Sequence, residues 1–417
     1  MVRRILMIAY HYPPLQGGSG ILRTQGFVRH LPSHGWQPLL LCPSPEAYAQ
    51  KGDIDADPAT VHRSLALDAG RHLAIRGRYP RWLALPDRWS SWWLSAVPAG
   101  LRMIKQYKPD AIWSTYPIAT AHLIALTLQK LSGLPWIADQ RDPMLDDSDS
   151  EAPYPADPRL YRMHGWIEQR IAARSAAIVC TTPGALDMHR RRLAHERCVL
   201  IENGHDEEDY GDAATGNGPG DRFVLLHSGV IYPSERDPQP LFAALANLRQ
   251  QGVLASHNFQ LLLRATGHDA WLASLLVNYG VSDLVTLAPL QTHAAALQEM
   301  QAADGLLLLQ AANCNHQIPA KLYEYLRCRR PVLALTDTAG DSAARLRLCG
   351  IATIGKLDSA SDCARALMHF MTLVRQGQAP LASHESIALQ SRSARASALA
   401  TLLNEVCHRS SPWKSVR

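Results

Sequence analysis

Short apolar runs alternate along this chain with stretches of helical period, and the alternation stops once and then restarts. Runs at 5–10, 37–42, 111–113, 136–138, 177–181 and 198–202 have the character of strands buried on both faces. Helical patterns at 21–31, 94–107, 118–131, 158–174 and 184–193 separate them. Residues 211–221, Gly-Asp-Ala-Ala-Thr-Gly-Asn-Gly-Pro-Gly-Asp, break the rhythm and have the composition of a linker. The pattern resumes with strands at 223–227, 259–264, 284–287, 305–309 and 331–335, and with helices at 240–250, 269–279 and 293–301. Strand–helix alternation predicts a parallel sheet covered by helices on both faces. A chain of 417 residues is more than one core holds comfortably. The expected architecture is therefore two α/β domains, at 1–210 and 222–382, with a ligand cleft where they face each other. Residues 43–88 carry no clear period and read as variable loops. Serines suit the N-caps of further helices at 361–375 and 383–406, and the tail 408–417 reads as basic and loose.

Charge narrows the partners. The formal charge is +5 with 18 histidines uncounted, and it is dispersed. That balance suits anionic small molecules or an anionic membrane surface and argues against nucleic acid. The eight cysteines form no Cys-x-x-Cys pair, and several lie in apolar runs, which predicts buried free thiols in a reducing compartment. The apolar run after Arg3-Arg4 is short for a secretory signal, and no stretch has the length of a membrane span. A cytoplasmic protein is expected, peripheral at most on the inner membrane. Residues 88–94, Arg-Trp-Ser-Ser-Trp-Trp-Leu, place three tryptophans beside basic residues. Such a stretch either packs into a core or lies at a bilayer interface.

Two stretches carry chemistry. In 316–335, HQIPAKLYEYLRCRRPVLAL, Pro319 suits the first turn of a helix and Pro331 ends it ahead of a buried strand. Lys321 and Glu324 are three apart and share a helix face. A lysine at a helix N-terminus suits a diphosphate, and a carboxylate one turn on can accept hydrogen bonds from a ribose diol. On spacing alone, an ordinary solvated Lys–Glu pair is the better reading, because such pairs are common. The second stretch is His11-Tyr12-Pro13-Pro14 followed by Gly17-Gly18-Ser19-Gly20, a glycine-rich turn between strand and helix. It is either a phosphate or sugar loop at the sheet edge or a tight turn. Gly-x-Gly-x-x-Gly and the P-loop are both absent.

These landmarks, with Asn203-Gly204-x-Asp206, His227-Ser228-Gly229-x-x-Tyr232 and Ile318 to Leu326 followed by Arg330-Pro331-Val332, resemble bacterial glycosyltransferases of family 4 over nearly the whole chain. The resemblance implies the GT-B fold of two Rossmann-like domains, the first for the acceptor and the second for a nucleotide-sugar donor, UDP- or GDP-linked, with no further cofactor. It implies that Glu324 holds the donor ribose, that Arg236 contacts the diphosphate and that Gly229 lies beneath it. Lys321 is placed at the diphosphate on physical grounds. Gly17, Gly18 and Ser19 would close over the donor, and the segment 383–407 would brace the first domain. Gly267 is placed near the base, and Ile318 near the sugar. His316 stands where many relatives carry a glutamate. Arg141 stands where many carry a histidine, with Asp142 the expected group on the acceptor hydroxyl and Asp139 the runner-up.

The implied reaction is sugar transfer with retention onto a glycan or lipid-linked saccharide in surface polysaccharide synthesis. Developing charge on the leaving diphosphate would be met by Arg236 and Lys321 without a metal. Asp147-Ser148-Asp149 is the nearest literal metal motif and sits in an acidic loop. The same fold would also serve a nucleotide-sugar 2-epimerase or a non-catalytic nucleotide-sugar-binding subunit.

Overall fold

A computed structural model describes residues 2–15, 19–52, 60–146, 154–193, 195, 197–210, 220 and 222–409. The chain divides into two compact units, residues 1–203 with 392–417, and residues 204–391. The division thus falls at Asn203, ahead of the expected linker. Residues 211–219 and 221 of that linker lie outside the described residues.

The strands of the first unit are β1 (Arg3–Ile8), β2 (Trp36–Pro43), β3 (Thr60–Ser64), β4 (Ala111–Thr115), β5 (Trp136–Gln140), β6 (Ala177–Cys180) and β7 (Cys198–Leu200). All pair in parallel, in the order β3-β2-β1-β4-β5-β6-β7. Its helices are α1 (Ser19–His30), α2 (Trp92–Tyr107), α3 (Ala119–Ser132), α4 (Pro158–Arg174) and α5 (Pro183–Leu193). Each central strand is buried on both faces, as its unbroken apolar run predicts. On β1, Leu6 and Ile8 enter the core beneath α2 and α3, while Ile5 and Met7 enter the opposite core with Phe27, Val28 and Leu31.

The second unit contains β8 (Phe223–Ser228), β9 (Phe259–Arg264), β10 (Val285–Ala288), β11 (Gly305–Leu309), β12 (Val332–Leu335) and β13 (Ile354–Gly355). They form a parallel sheet in the order β10-β9-β8-β11-β12-β13. The helices are α6 (Gln239–Gln250), α7 (Asp269–Tyr279), α8 (His293–Ala302), α9 (Lys321–Arg327), α10 (Asp341–Leu348), α11 (Ala360–Arg375) and α12 (His384–Ala388). In both sheets the strand order reverses beside the first strand of the unit, at β1/β4 and at β8/β11.

The last helix, α13 (Arg392–Arg409), belongs to the first unit. Ala396, Leu399, Ala400 and Leu403 pack with Phe27, Val28 and Leu31. A Cβ on Gly26 would lie 2.6 Å from Arg392 Cδ, so a glycine in α1 permits the approach. The expected single helix over 383–406 is two helices: α12 stays with the second unit and α13 returns to the first. Three elements escape the periodicity argument. β3 lies in the stretch read as loops and pairs with β2; β13 and α10 follow β12.

All eight cysteines are free, seven of them buried. No helix among the described residues is long and apolar enough to cross a membrane. Of the three tryptophans at 89–93, Trp92 is fully buried and donates from Nε1 to Ser64 Oγ at 3.0 Å, and Trp89 packs on the same core. Trp93 remains partly exposed.

Candidate functional site

In an open parallel sheet, ligands bind beyond the carboxyl ends of the strands where the order reverses. In the second unit that point lies between β8 and β11, and a buried histidine ties the two strands together. His227 donates from Nδ1 to the carbonyl of Leu307 at 2.9 Å. This leaves the Nε2 lone pair for Lys321, whose Nζ lies 3.1 Å away. Burial and the Lys321 charge hold His227 well below the usual histidine range, so it accepts as a neutral ring. Lys321 is itself held well below the lysine range, by burial and then by the Arg236 cation, with Glu324 acting in the opposite direction.

Gly229 follows β8 with φ +115°, a conformation that favours glycine, and its N–H donates to the Arg264 carbonyl at 2.8 Å. A Cβ there would come within 2.8 Å of Lys321 Nζ, so the lysine lies directly over the glycine backbone. Arg236 donates from Nη1 to the Val230 carbonyl at 2.6 Å and stacks over the Tyr232 ring at 5.4 Å. Gly267, with φ +75°, rests against the Val230 side chain. The Ser228 N–H donates to the Tyr325 hydroxyl at 2.9 Å, which fixes α9 against the end of β8. The result is a glycine floor with two cationic side chains at its edge, a geometry suited to a diphosphate.

α9 is shorter than the expected helix from Pro319 to about Arg329: seven residues, starting at Lys321. Leu322 and Tyr323 donate to the Pro319 and Ala320 carbonyls, so the chain enters through a tight i→i+3 turn. Glu324 stands one turn on, its side chain 12% exposed. His293, at the start of α8, donates from Nε2 to Glu324 Oε1 at 3.2 Å, and its Nδ1 lies 3.8 Å from Asp209. Arg327 on α9 donates to Glu207 at 2.6 Å and stacks over Tyr210 at 4.6 Å. The 205–210 segment therefore braces the helix that carries Glu324. Neither His293 nor Asp209 was legible as part of the site, because nothing local in sequence joins them to Glu324. Ile318 is buried in the core under α9, and His316 is half-buried ahead of it.

In the first unit, Ser19 opens α1, while Gly17 and Gly18 lie outside the described residues. Asp139, the runner-up for the acceptor hydroxyl, lies at the carboxyl end of β5. Its side chain is fully buried, held by Arg23 Nη2 at 2.6 Å, Arg23 Nε at 3.0 Å and Thr115 Oγ1 at 2.9 Å. Arg23 also donates to the carbonyls of Ile201 and Glu202 at 2.9 Å each, so this pair knits β5 to the end of the sheet. Arg141 is buried beside it. A Cβ on Gly20 would collide with Arg141 Nη1 and lie 3.0 Å from His11 Nδ1. Burial lowers Arg141 below its usual range, with Asp142 opposing the shift. Burial and the Arg141 charge lower His11 to about 4. Asp142 is half-buried. Arg141, His11 and the first turn of α1 thus converge at the carboxyl end of β1, with Asp142 adjoining Arg141. No group of three or more potential metal ligands occurs among the described residues, and 147–149 lie outside them.

No curated protein matches this chain in sequence. Residues 19–204 match a glycosyl transferase 4-like domain. Among solved structures, sucrose-phosphate synthase from Thermosynechococcus elongatus is similar over 98% of this chain and 100% of its own, with a TM-score of 0.74 at 16% identity. The UDP-forming α,α-trehalose-phosphate synthase from Burkholderia xenovorans, in complex with glucose-6-phosphate, covers 96% and 100%, with a TM-score of 0.66 at 12% identity. HepE from Anabaena, in complex with UDP-glucose, covers 99% and 99%, with a TM-score of 0.57 at 13% identity. The chain thus has a glycosyltransferase-like GT-B fold of two parallel-sheet α/β units, the first of which carries the glycosyl transferase 4-like match.

Proposed function

We propose that this protein transfers a sugar from a nucleoside-diphosphate sugar, UDP- or GDP-linked, to a hydroxyl of a glycan or lipid-linked saccharide. The observation that carries the reading is Lys321 Nζ lying over Gly229 and against His227, with Glu324 one helical turn away. Lys321 and Arg236 neutralise the charge that builds on the diphosphate as the glycosidic bond breaks, which needs no metal. Glu324 accepts from the ribose hydroxyls. Gly229 lets the diphosphate approach the backbone, and Gly267 sits where the base enters. Ile318 and His316 serve the donor sugar. Arg141 and Asp142 bind the acceptor, with Asp142 orienting its hydroxyl. Asp139 supports them through Arg23. The transfer retains configuration and belongs to polysaccharide assembly at the cytoplasmic face of the inner membrane. The described neighbours that bind UDP-glucose or glucose-6-phosphate support the substrate class by likeness of fold.

A thermal-shift panel of UDP, GDP, ADP, CMP and their sugar conjugates tests this. A ligand at roughly a hundred times its Kd adds about 2.7 kcal/mol of apparent stability. One diphosphate should stabilise the wild type selectively and fail on Glu324→Ala. No shift with any nucleotide would overturn the donor assignment.

A further inference from the structure

On the first unit, helices α2, α3 and α4 present an apolar groove lined by Leu85, Trp93, Leu94, Leu123, Lys130 and Trp166, among others. Trp93 is 37%, Leu94 71% and Trp166 42% exposed. These side chains are held rather than loose. Trp93 Nε1 donates to Thr127 Oγ1 at 3.0 Å, and Arg170 lies over the Trp166 ring at 5.2 Å. The exposed charges carried by these three helices are all basic. α2 and α3 contain no Asp or Glu. The one carboxylate of α4, Glu168, is 1% exposed and paired with Arg192. Lys130 on α3 lines the groove, and the helices that form it also carry the exposed cations Arg102 and Lys105 on α2 and Arg159, Arg162 and Arg170 on α4.

We infer that this face docks on an anionic lipid bilayer. Tryptophans with an apolar body and an anchored N–H suit the headgroup boundary, and helices whose exposed charges are all cationic complement anionic phospholipid. Leu94 enters the acyl region, and Lys130 with the α4 arginines meets the phosphates. The inference deepens the reading of a membrane-linked acceptor by naming the partner surface, and it is tested without turnover.

The full chain is sedimented with vesicles of phosphatidylcholine alone and of equimolar phosphatidylcholine and phosphatidylglycerol. Wild type should partition at least about 10-fold more strongly to the anionic vesicles, and added salt should weaken it. Leu94→Asp with Trp166→Ser, and separately Arg159→Glu with Arg162→Glu, should each lower partitioning by about 10-fold. All four sites are exposed, and unchanged melting and an unchanged nucleotide-induced shift verify the fold. Equal binding to both vesicle types, binding retained by both variants, or no binding overturns the inference. So does a concentration-dependent dimer abolished by Leu94→Asp without vesicle binding, which would assign the face to a second copy. Loss of vesicle binding with the nucleotide shift intact removes only the membrane inference; absence of any nucleotide shift removes the transferase reading.

Discussion

Lys321 Nζ lies 3.1 Å from His227 Nε2, and the other nitrogen of that histidine is committed to the Leu307 carbonyl. Lys321 therefore rests on a neutral acceptor, beside another cation, at a pKa well below the lysine range. A diphosphate would replace repulsion from Arg236 with attraction and raise that pKa. Nucleotide binding should then take up as much as one proton at a pH between the free and bound values, and affinity should fall as pH rises through that window. Calorimetry in buffers of different ionisation enthalpy measures the uptake. Lys321→Met should abolish it and weaken binding, while the free protein melts no lower than wild type, because a half-buried amine held beside the Arg236 cation has been removed.

Gly229 combines a φ of +115° with the closest approach to Lys321. An alanine there is strained in itself and pushes the lysine end aside. Gly229→Ala should cost about 1–3 kcal/mol of stability in urea denaturation. Nucleotide affinity, measured by titration, should fall by about 10-fold. A variant with reduced stability but unchanged affinity would mean that Lys321 position is unimportant to the ligand.

His293 acts on Glu324 through Nε2, with Asp209 behind it. If Glu324 reads the ribose, freeing its carboxylate should affect ribose recognition more than diphosphate binding. His293→Ala should weaken the ribonucleotide by about 10-fold and narrow the preference for it over the 2′-deoxynucleotide. His293→Gln, which can still donate, should recover part of that preference. Competition titrations of the two nucleotides give the ratio.

The sheets were legible because their strands are buried on both faces, which writes continuous apolar runs such as Leu306 to Leu309 into the sequence. β3 was not, because its residues are mostly half-buried and its place is set by backbone pairing to β2. α10 and β13 are short, and β13 has two residues. Lys321, Glu324 and Gly229 could be singled out because helix spacing and a strand-end glycine are local signals. His293 with Glu324, 31 residues apart, and Arg23 with Asp139, 116 apart, are created by tertiary packing and leave no local pattern. That is why Asp139 looked available from sequence and is buried in the fold.

The two carboxylates at the end of β5 should separate cleanly. Asp139→Asn breaks a buried ion pair with Arg23 and should cost about 3–5 kcal/mol of stability. Asp142 is half-buried, and Asp142→Asn should change stability by only about 0.5 kcal/mol. If Asp142 orients the acceptor hydroxyl, the same variant should lower turnover by about 10²-fold or more while donor affinity holds. Denaturation and single-turnover assays on both variants resolve the roles. Full turnover in Asp142→Asn would remove it from the chemistry.

Three histidines of the first unit whose pKa values are lowered make acid lability a further expectation. His122 is lowered to about 3, His189 to about 4 and His11 to about 4 from 6.5, in each case chiefly by burial. Below 6.5 the unfolded chain binds protons that the folded chain refuses. Their stabilising contribution is complete above that pH and is lost as pH falls, at a limiting slope of about 1.4 kcal/mol per pH unit for each histidine. His122 is hydrogen-bonded through Nδ1 to Ser114 Oγ at 2.7 Å, whereas neither ring nitrogen of His189 has a hydrogen-bond partner among the described residues. His189→Leu is therefore the informative variant, since it removes a titrating ring without breaking such a bond. Urea midpoints from about pH 7.5 to about pH 4.5 should fall less steeply for His189→Leu than for wild type. Identical slopes would show that His189 is protonated in the folded state, with a pKa near that of the unfolded chain.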